Sequence, residues 1–174
     1  MKKKRLCLIW GPALILLTVV LILANRPSET PLPVGAAEGE RMPAFRAVCT
    51  DDRVFDLAAQ NGKVTVINLW ATWCAPCVKE LQYFERLQRE YPEDVTVLAL
   101  HSPPVTADVE SWLADFSYSI SFAVDEDGRL SAALNSSAVL PQTVIIDADG
   151  VVTYNRSGAL SYKELEELVS AAKK

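Results

Sequence analysis

The segment Trp73-Cys74-Ala75-Pro76-Cys77 lies at the junction between two predicted elements of this sequence. Residues 63–70, just before it, are β-branched and apolar, which predicts a buried strand. Residues 78–91, just after it, carry apolar and aromatic side chains at helical spacing, which predicts a helix over about 75–90. Cys74 should therefore stand at the start of that helix. Unpaired backbone N–H groups and the helix dipole meet there, and both favour a thiolate.

The spacing of the two cysteines is compatible with a redox dithiol, with half of a zinc site, or with chance. Cys77 would lie about one helical turn beyond Cys74, within disulfide reach. A structural zinc site usually needs four Cys or His ligands, and the chain offers few others: Cys7, Cys49 and His101. Because Cys7 falls in a predicted membrane segment, the sequence favours a dithiol that cycles between reduced and oxidised forms, without a metal ion.

The N-terminus predicts a membrane anchor. Residues 1–5 are basic, and residues 6–24 are 19 uncharged residues rich in Leu, Ile and Val. At ~1.5 Å per residue this helix would span nearly 30 Å, enough to cross a bilayer. The apolar core of a signal peptide is usually only ~7–15 residues long. We therefore expect an uncleaved signal-anchor, with a cleaved signal peptide as the alternative.

The charge distribution predicts the orientation of this anchor. Four basic residues precede the span, which places the N-terminal stub in the cytoplasm and the rest of the chain on the extracytoplasmic side of the cell membrane. The exterior part has a formal charge of −9, because all 22 acidic residues but only 13 of the 17 basic ones belong to it. This charge disfavours nucleic acid as a partner. Residues 25–42, rich in Pro and Gly, predict a linker to a domain at 43–174.

The pattern of residues 43–174 predicts one α/β domain. A short β-hairpin at about 45–55 precedes the strand and helix around the cysteines. The rest of the chain predicts a strand at 95–100, a helix opening at 106–110 and carrying Trp112, Leu113 and Phe116, a strand at 121–124, a short helix at 129–134, an antiparallel hairpin of 143–147 with 151–154, and a last helix capped by Ser161 with Glu164. This order implies a mixed sheet with helices on both faces.

With those elements placed, the chain resembles the TlpA/ResA-type group of thioredoxin-like proteins, which are membrane-tethered, extracytoplasmic thiol–disulfide oxidoreductases. Three features carry the resemblance, which covers nearly all of residues 42–172. They are the segment 68–77 (Asn-Leu-Trp-Ala-Thr-Trp-Cys-Ala-Pro-Cys), Glu80 three residues after the second cysteine, and Val139-Leu140-Pro141-Gln142-Thr143, which is similar to the cis-proline loop of the family.

The resemblance implies a thioredoxin-like fold with an N-terminal β-hairpin extension and an N-terminal transmembrane anchor. It also implies an enzyme that reduces client disulfides. Its catalytic residues would be Cys74, Cys77 and Glu80. Its substrate-binding residues would be Trp73, Ala75, Pro76, Leu140 and Pro141, with a cis bond between the last two.

The implied partners are client proteins with disulfides and a transmembrane electron donor that reduces the Cys74–Cys77 disulfide again. Cytochrome c apoproteins are one possible class of client that the resemblance suggests. No dissociable cofactor is implied. Since residues 135–139 depart from the family pattern before the cis-proline, client identity does not carry over. Asn68 stands where soluble thioredoxins have a buried Asp, and Val78 and Gln82 also depart from the usual residues.

Two other functions stay open at this point. A peroxiredoxin-like peroxidase shares the fold, although the Trp-Cys-x-x-Cys pattern favours the thioredoxin side. A non-enzymatic copper-delivery module could use Cys74, Cys77 and His101. We expect His101 to be structural or solvent-facing rather than a proton shuttle, Cys49 to be a buried small apolar residue, and Trp70 to belong to the core.

Overall fold

The structure is a computed structural model that describes residues 35–60, 62–134 and 137–173. The predicted anchor at 6–24 and most of the predicted linker lie outside these residues. Within the described part, no helix is both long and apolar enough to cross a membrane.

The described chain contains seven strands and four α-helices. In chain order they are β1 (Arg46–Val48), β2 (Val54–Asp56), β3 (Val64–Trp70), α1 (Ala75–Glu90), β4 (Val95–His101), α2 (Val109–Leu113), β5 (Ser121–Val124), α3 (Arg129–Leu134), β6 (Gln142–Ile146), β7 (Val152–Ser157) and α4 (Tyr162–Ala172). A 3₁₀ helix, Leu57–Gln60, follows β2. The predicted strand, helix and hairpin positions are therefore largely confirmed.

The main sheet has five strands in the order β5-β4-β3-β6-β7. Strand β3 is central and all seven of its residues are buried. It pairs in parallel with β4 and antiparallel with β6, while β5 continues the parallel side and β7 the antiparallel side. Because β3 is covered on both faces, its sequence is mostly apolar, with only Thr65 and Asn68 polar, and does not alternate between apolar and polar residues. The predicted mixed sheet is confirmed.

Helices cover both faces of this sheet, as predicted. On one face, α1, α2 and α4 pack over a buried cluster that includes Trp70, Leu81 and Phe84. On the other face, the β1–β2 hairpin and α3 cover a second cluster that includes Ile67 and Leu134. The active-site segment leaves β3 at its carboxyl end and enters α1, so it lies at one edge of this layered core.

The segment before β3 reaches both outer strands of the sheet. Near β7, the N–H of Gly39 donates to the carbonyl of Val152 at 2.8 Å, and Arg41 forms a bridge with Val151. Near β5, Cys49 forms a bridge with Ala123, and the N–H of Thr50 donates to the carbonyl of Phe122 at 2.9 Å. We call residues 39–50 the strap, because this segment contacts the two outer strands from the same stretch of chain.

Helix α2 is shorter than the sequence predicted. It begins at Val109 because the side chain of Asp108 caps it by accepting the N–H of Ser111, and it ends at Leu113. Phe116, which the prediction placed on this helix, lies beyond its end and is 45% exposed. Its ring packs at a centroid distance of 4.7 Å from Trp112, outside the helix. The predicted capping box of α4, by contrast, is confirmed.

Candidate active site

Cys74 and Cys77 form a disulfide whose Cα atoms are 5.3 Å apart. Cys74 is the N-cap of α1, as predicted, and its own N–H donates to the carbonyl of Ala71 at 3.0 Å. Pro76 occupies the first turn of the helix, where its missing N–H has no partner to lose. The pair therefore occupies the end of the helix at which backbone N–H groups stabilise a thiolate.

The two sulfur-bearing residues differ in exposure. Cys74 is 6% exposed, whereas Cys77 is completely buried. The predicted order, with Cys74 the more exposed of the two, is confirmed for the oxidised form. An incoming thiol or disulfide can therefore approach Cys74 more readily than Cys77.

The Leu140–Pro141 peptide bond is cis, as predicted. Strand β6 begins directly after it, and Gln142 pairs with Leu69 on β3, five residues before Cys74. This pairing places the proline loop beside the end of the strand that leads into the disulfide. Pro141 itself is buried, and Leu140 is half-buried.

The surface around the disulfide includes the other residues that the resemblance singled out. Trp73 is 53% exposed, and Ala75 and Pro76 are exposed as well. A groove of about 430 Å³ is lined by Trp73 and Leu140 together with residues of the 102–103 loop and of α3. Two larger concavities, of about 720 and 550 Å³, have neither of these two residues in their walls. The smaller groove is thus the one that adjoins the redox pair.

A second cis bond, Pro103–Pro104, lies in the loop opposite Trp73. The indole Nε1 of Trp73 donates to the carbonyl of Pro104 at 3.1 Å, which fixes the ring against this loop. This cis bond was not predicted from the sequence. The available signal was the consecutive prolines, since cis bonds are essentially confined to X-Pro positions.

Glu80 is buried on α1, one turn beyond Cys77, with 2% of its surface exposed. One carboxylate oxygen accepts the N–H of Leu160, and the other has no hydrogen-bond partner among the described residues. Burial raises the pKa of Glu80 to about 7, although the hydrogen bond from Leu160 acts in the opposite direction. A buried carboxyl group with a pKa raised in this way can exchange a proton near neutral pH.

Two further polar side chains lie buried in the sheet near this region. Asn68 on β3 and Thr143 on β6 are directly opposite in register, and both are completely buried. Within the described residues, the amide of Asn68 and the hydroxyl of Thr143 have no hydrogen-bond partner. Asn68 was identifiable from the sequence, whereas the position of Thr143 opposite it follows only from the register of β3 and β6.

His101 ends β4 and is completely buried. Its ring packs edge-on against Trp70 at a centroid distance of 5.2 Å, and its Nε2 accepts the N–H of Thr72 at 3.1 Å. Burial lowers the pKa of His101. The expectation of a structural residue is supported and the solvent-facing alternative is wrong. Trp70 belongs to the core, as expected.

Cys49 is 5% exposed and is not part of the disulfide, in agreement with its expected place in the core. Burial raises the pKa of its thiol, which disfavours the reactive thiolate. Among the described residues, no group of three or more His, Cys, Asp or Glu side chains is arranged to hold a metal ion.

Comparison with known proteins agrees with this site. The redoxin family model matches residues 37–171. Thioredoxin-like protein YneN of Bacillus subtilis is 29% identical over 137 residues, which cover 77% of this chain and 79% of YneN. Thiol-disulfide oxidoreductase ResA of Bacillus thuringiensis subsp. konkukian is 28% identical over 130 residues, 74% of this chain and 75% of ResA.

Solved structures show the same fold. The crystal structure of a secreted Mycobacterium tuberculosis disulfide oxidoreductase is 28% identical and superposes with a TM-score of 0.61, over 73% of this chain and 95% of that one. The shared fold, the named relatives and the disulfide between Cys74 and Cys77 lead to one conclusion. The chain belongs to the redoxin family and is a thioredoxin-like thiol–disulfide oxidoreductase related to the ResA and DsbE proteins.

Proposed function

We propose that this enzyme reduces disulfides in client proteins on the extracytoplasmic side of the cell membrane, where residues 6–24 anchor it. The observation that carries the proposal is the unequal exposure of the cysteine pair at the start of α1. A two-step exchange requires an attacking sulfur that is more accessible than the resolving sulfur, and Cys74 retains 6% exposure whereas Cys77 has none.

The reaction begins with both cysteines reduced. The Cys74 thiolate attacks one sulfur of the client disulfide, which forms a mixed disulfide and releases the first client thiolate. The Cys77 thiolate then attacks Cys74, which forms the Cys74–Cys77 disulfide and releases the second client sulfur. Two electrons pass to the client, and each released thiolate takes up one proton from solvent or from a nearby acid.

Glu80 accepts a proton and later returns it during this cycle. Residues three apart on a helix have Cβ atoms about 5–6 Å apart, so the carboxyl group is a near neighbour of Cys77. Because burial raises the pKa of Glu80 to about 7, the carboxylate can accept the Cys77 proton before the second attack. It returns that proton when the disulfide is reduced again. Either half-reaction would slow without this group.

Clients bind along the surface beside the disulfide. Trp73, Ala75 and Pro76 offer exposed contact area next to Cys74. Pro141 has no N–H of its own, and in this proposal the backbone of Leu140 pairs with an extended client strand, as in other β-strand additions. These residues are proposed as the substrate-binding surface.

Continued turnover needs an electron source, because the oxidised enzyme cannot reduce a second client. We assign this role to a transmembrane electron donor that delivers two electrons to the Cys74–Cys77 disulfide. The clients would be extracytoplasmic proteins that need free thiols, and apoproteins of cytochrome c are one proposed class. No dissociable cofactor takes part in this scheme.

The test is the reduction of insulin disulfides by the full-length chain with dithiothreitol as electron source. Cys77→Ser should trap mixed disulfides that reducing agents release, whereas Cys74→Ser should trap none. Cys49→Ala is the matched control, since this third cysteine is buried and outside the pair. Peroxide consumption faster than insulin reduction, or trapping by Cys74→Ser, would overturn the proposal.

A further inference from the structure

Three hydrogen bonds join the segment that carries Cys74 to the end of β4 and the loop after it. The N–H of Ser102 donates to the carbonyl of Trp70 at 2.8 Å, and the N–H of Thr72 donates to Nε2 of His101 at 3.1 Å. Farther along, the indole Nε1 of Trp73 donates to the carbonyl of Pro104 in the loop after β4 at 3.1 Å. In the second of these bonds a side chain, not the backbone, is the acceptor, so a single substitution can remove it.

The protonation of His101 follows from this contact. Because Nε2 accepts a hydrogen bond, the neutral ring must carry its proton on Nδ1. Within the described residues, that Nδ1 is buried without a hydrogen-bond partner. Burial also lowers the pKa of the imidazole, although the backbone groups of Ser102 and of His101 itself act in the opposite direction. A neutral ring leaves Nε2 able to accept.

Packing alone does not account for a histidine at this position. The ring is completely buried against Trp70, and one of its two nitrogens remains unsatisfied. An apolar side chain of similar volume would fill the same space without burying the unpaired Nδ1, whose desolvation is unfavourable, but it would leave the N–H of Thr72 without its acceptor. What the imidazole adds is the acceptor for Thr72.

We propose that His101 is a positioning residue of the redox site, whose Nε2 holds the N–H of Thr72 and thereby fixes the turn that presents Cys74. This inference rests on the exchange chemistry proposed above. The turn is short: the N–H of Cys74 donates back to the carbonyl of Ala71, and Thr72 lies between them. Holding Thr72 therefore restrains the backbone that aims the Cys74 sulfur at the N-terminal N–H groups of α1.

Loss of the acceptor has two separable consequences. The N–H of Thr72 exchanges with solvent more readily, because its partner is gone. The turn also samples conformations in which the Cys74 sulfur is less well aligned with the helix N-terminus, so the thiolate is less stabilised. A purely structural side chain would change global stability and leave both of these local properties as they are.

The experiment compares His101→Leu and His101→Gln in the full-length chain. Leucine retains volume without an acceptor, whereas the Oε1 of glutamine can occupy the place of Nε2. Hydrogen exchange of the Thr72 amide is measured by NMR in the oxidised protein. Alkylation of Cys74 by iodoacetamide at pH 7 is measured in the reduced protein, and a urea titration reports global stability.

With leucine we expect Thr72 to exchange about fivefold faster, the change that losing one hydrogen bond brings. Cys74 should be alkylated about threefold more slowly, because the N-terminus of α1 stabilises its thiolate less. The free energy of unfolding should fall by no more than that fivefold factor, about 1 kcal/mol. Glutamine should restore both local properties. Wild-type exchange and alkylation in His101→Leu would overturn the proposal. If His101→Leu does not fold, the folded His101→Gln variant tests the proposal instead. Wild-type rates of Thr72 exchange and Cys74 alkylation in this variant would support the positioning role, and altered rates would refute it.

The proposed client reduction and the positioning role of His101 are tested separately, so either one can be wrong without the other. If the wild-type chain does not reduce insulin, the client-reduction proposal is wrong, while the Thr72 and Cys74 measurements still test the contact. If the wild-type chain is active but both local properties are unchanged in His101→Leu, only the positioning role is wrong.

Discussion

Replacing Glu80 by glutamine should stabilise the oxidised protein increasingly as the pH rises. In the folded protein, burial raises the pKa of Glu80 to about 7, whereas the ordinary value is 4.5. Between these two values the folded state binds more protons than the unfolded state. The free energy of unfolding of the wild-type protein therefore falls as the pH rises through this range. Glutamine does not titrate, so the variant lacks this loss.

The magnitude follows from the two pKa values. At pH 5 most of the pH-dependent decrease in the wild-type free energy of unfolding has not yet occurred, and at pH 8.5 nearly all of it has. The difference in unfolding free energy between Glu80→Gln and wild type should therefore rise by about 2.5 kcal/mol from pH 5 to pH 8.5. The hydrogen bond with Leu160 and the packing change on substitution add an offset that does not depend on pH.

Urea unfolding of the oxidised protein at these two pH values measures the effect. The disulfide removes the titration of Cys74 and Cys77 from the comparison, because bonded cysteines do not titrate. His101 titrates equally in both proteins, so its contribution cancels. Glu93→Gln, which removes an exposed carboxylate, is the matched control and should show no comparable change with pH.

A difference between Glu80→Gln and wild type that stays within about 0.5 kcal/mol from pH 5 to pH 8.5 would refute the argument. It would mean that the carboxyl group is solvated despite its burial in the structure. The proposed exchange of a proton with Cys77 near neutral pH would then lose its basis as well.

Three other outcomes are expected. A reporter fused after Lys174 should be active only outside the cytoplasm, and activity inside would contradict the orientation inferred from the basic N-terminus. In the reduced protein, iodoacetamide at neutral pH should modify Cys74 before Cys77, because Cys77 is completely buried; peptide mapping by mass spectrometry shows the order, and the reverse order would refute the roles. Ser161→Ala should destabilise the protein by about 1 kcal/mol, since it removes a capping box. Ser170→Ala, at an exposed position within the same helix, should not, and equal effects of both would rule out capping as the cause.

The segment of the site from β3 through Cys74 into α1 could be predicted from the sequence, because residues adjacent in the chain determine its structure. The apolar run of β3, the proline in the first turn of α1 and the position of Cys74 between them are all contained in one short segment. The cis bond at Pro141 came from the family resemblance, not from composition. These features do not depend on knowing which distant segments meet.

Contacts between distant segments were not predictable in the same way. The N–H of Thr72 and the ring of His101 are 29 positions apart, and Glu80 meets the backbone of Leu160 across 80 positions. Such pairs depend on sheet register and helix packing, which hydrophobic periodicity does not specify. The predicted end of α2 was also wrong: the helix stops at Leu113, although the ring of Phe116 still packs against Trp112.

The strap, residues 39–50, has a consequence for how the domain behaves in solution. Strands β5 and β7 are the two edge strands of the five-stranded sheet, and an uncovered edge strand is a template for pairing with other chains. The strap occupies backbone hydrogen-bonding groups on both edge strands: those of Val152 in β7 and of Phe122 in β5. A fragment trimmed to begin at residue 51 would leave both groups open to neighbouring molecules. Such a fragment could retain every active-site residue and still self-associate, so a soluble catalytic domain has to start before the strap.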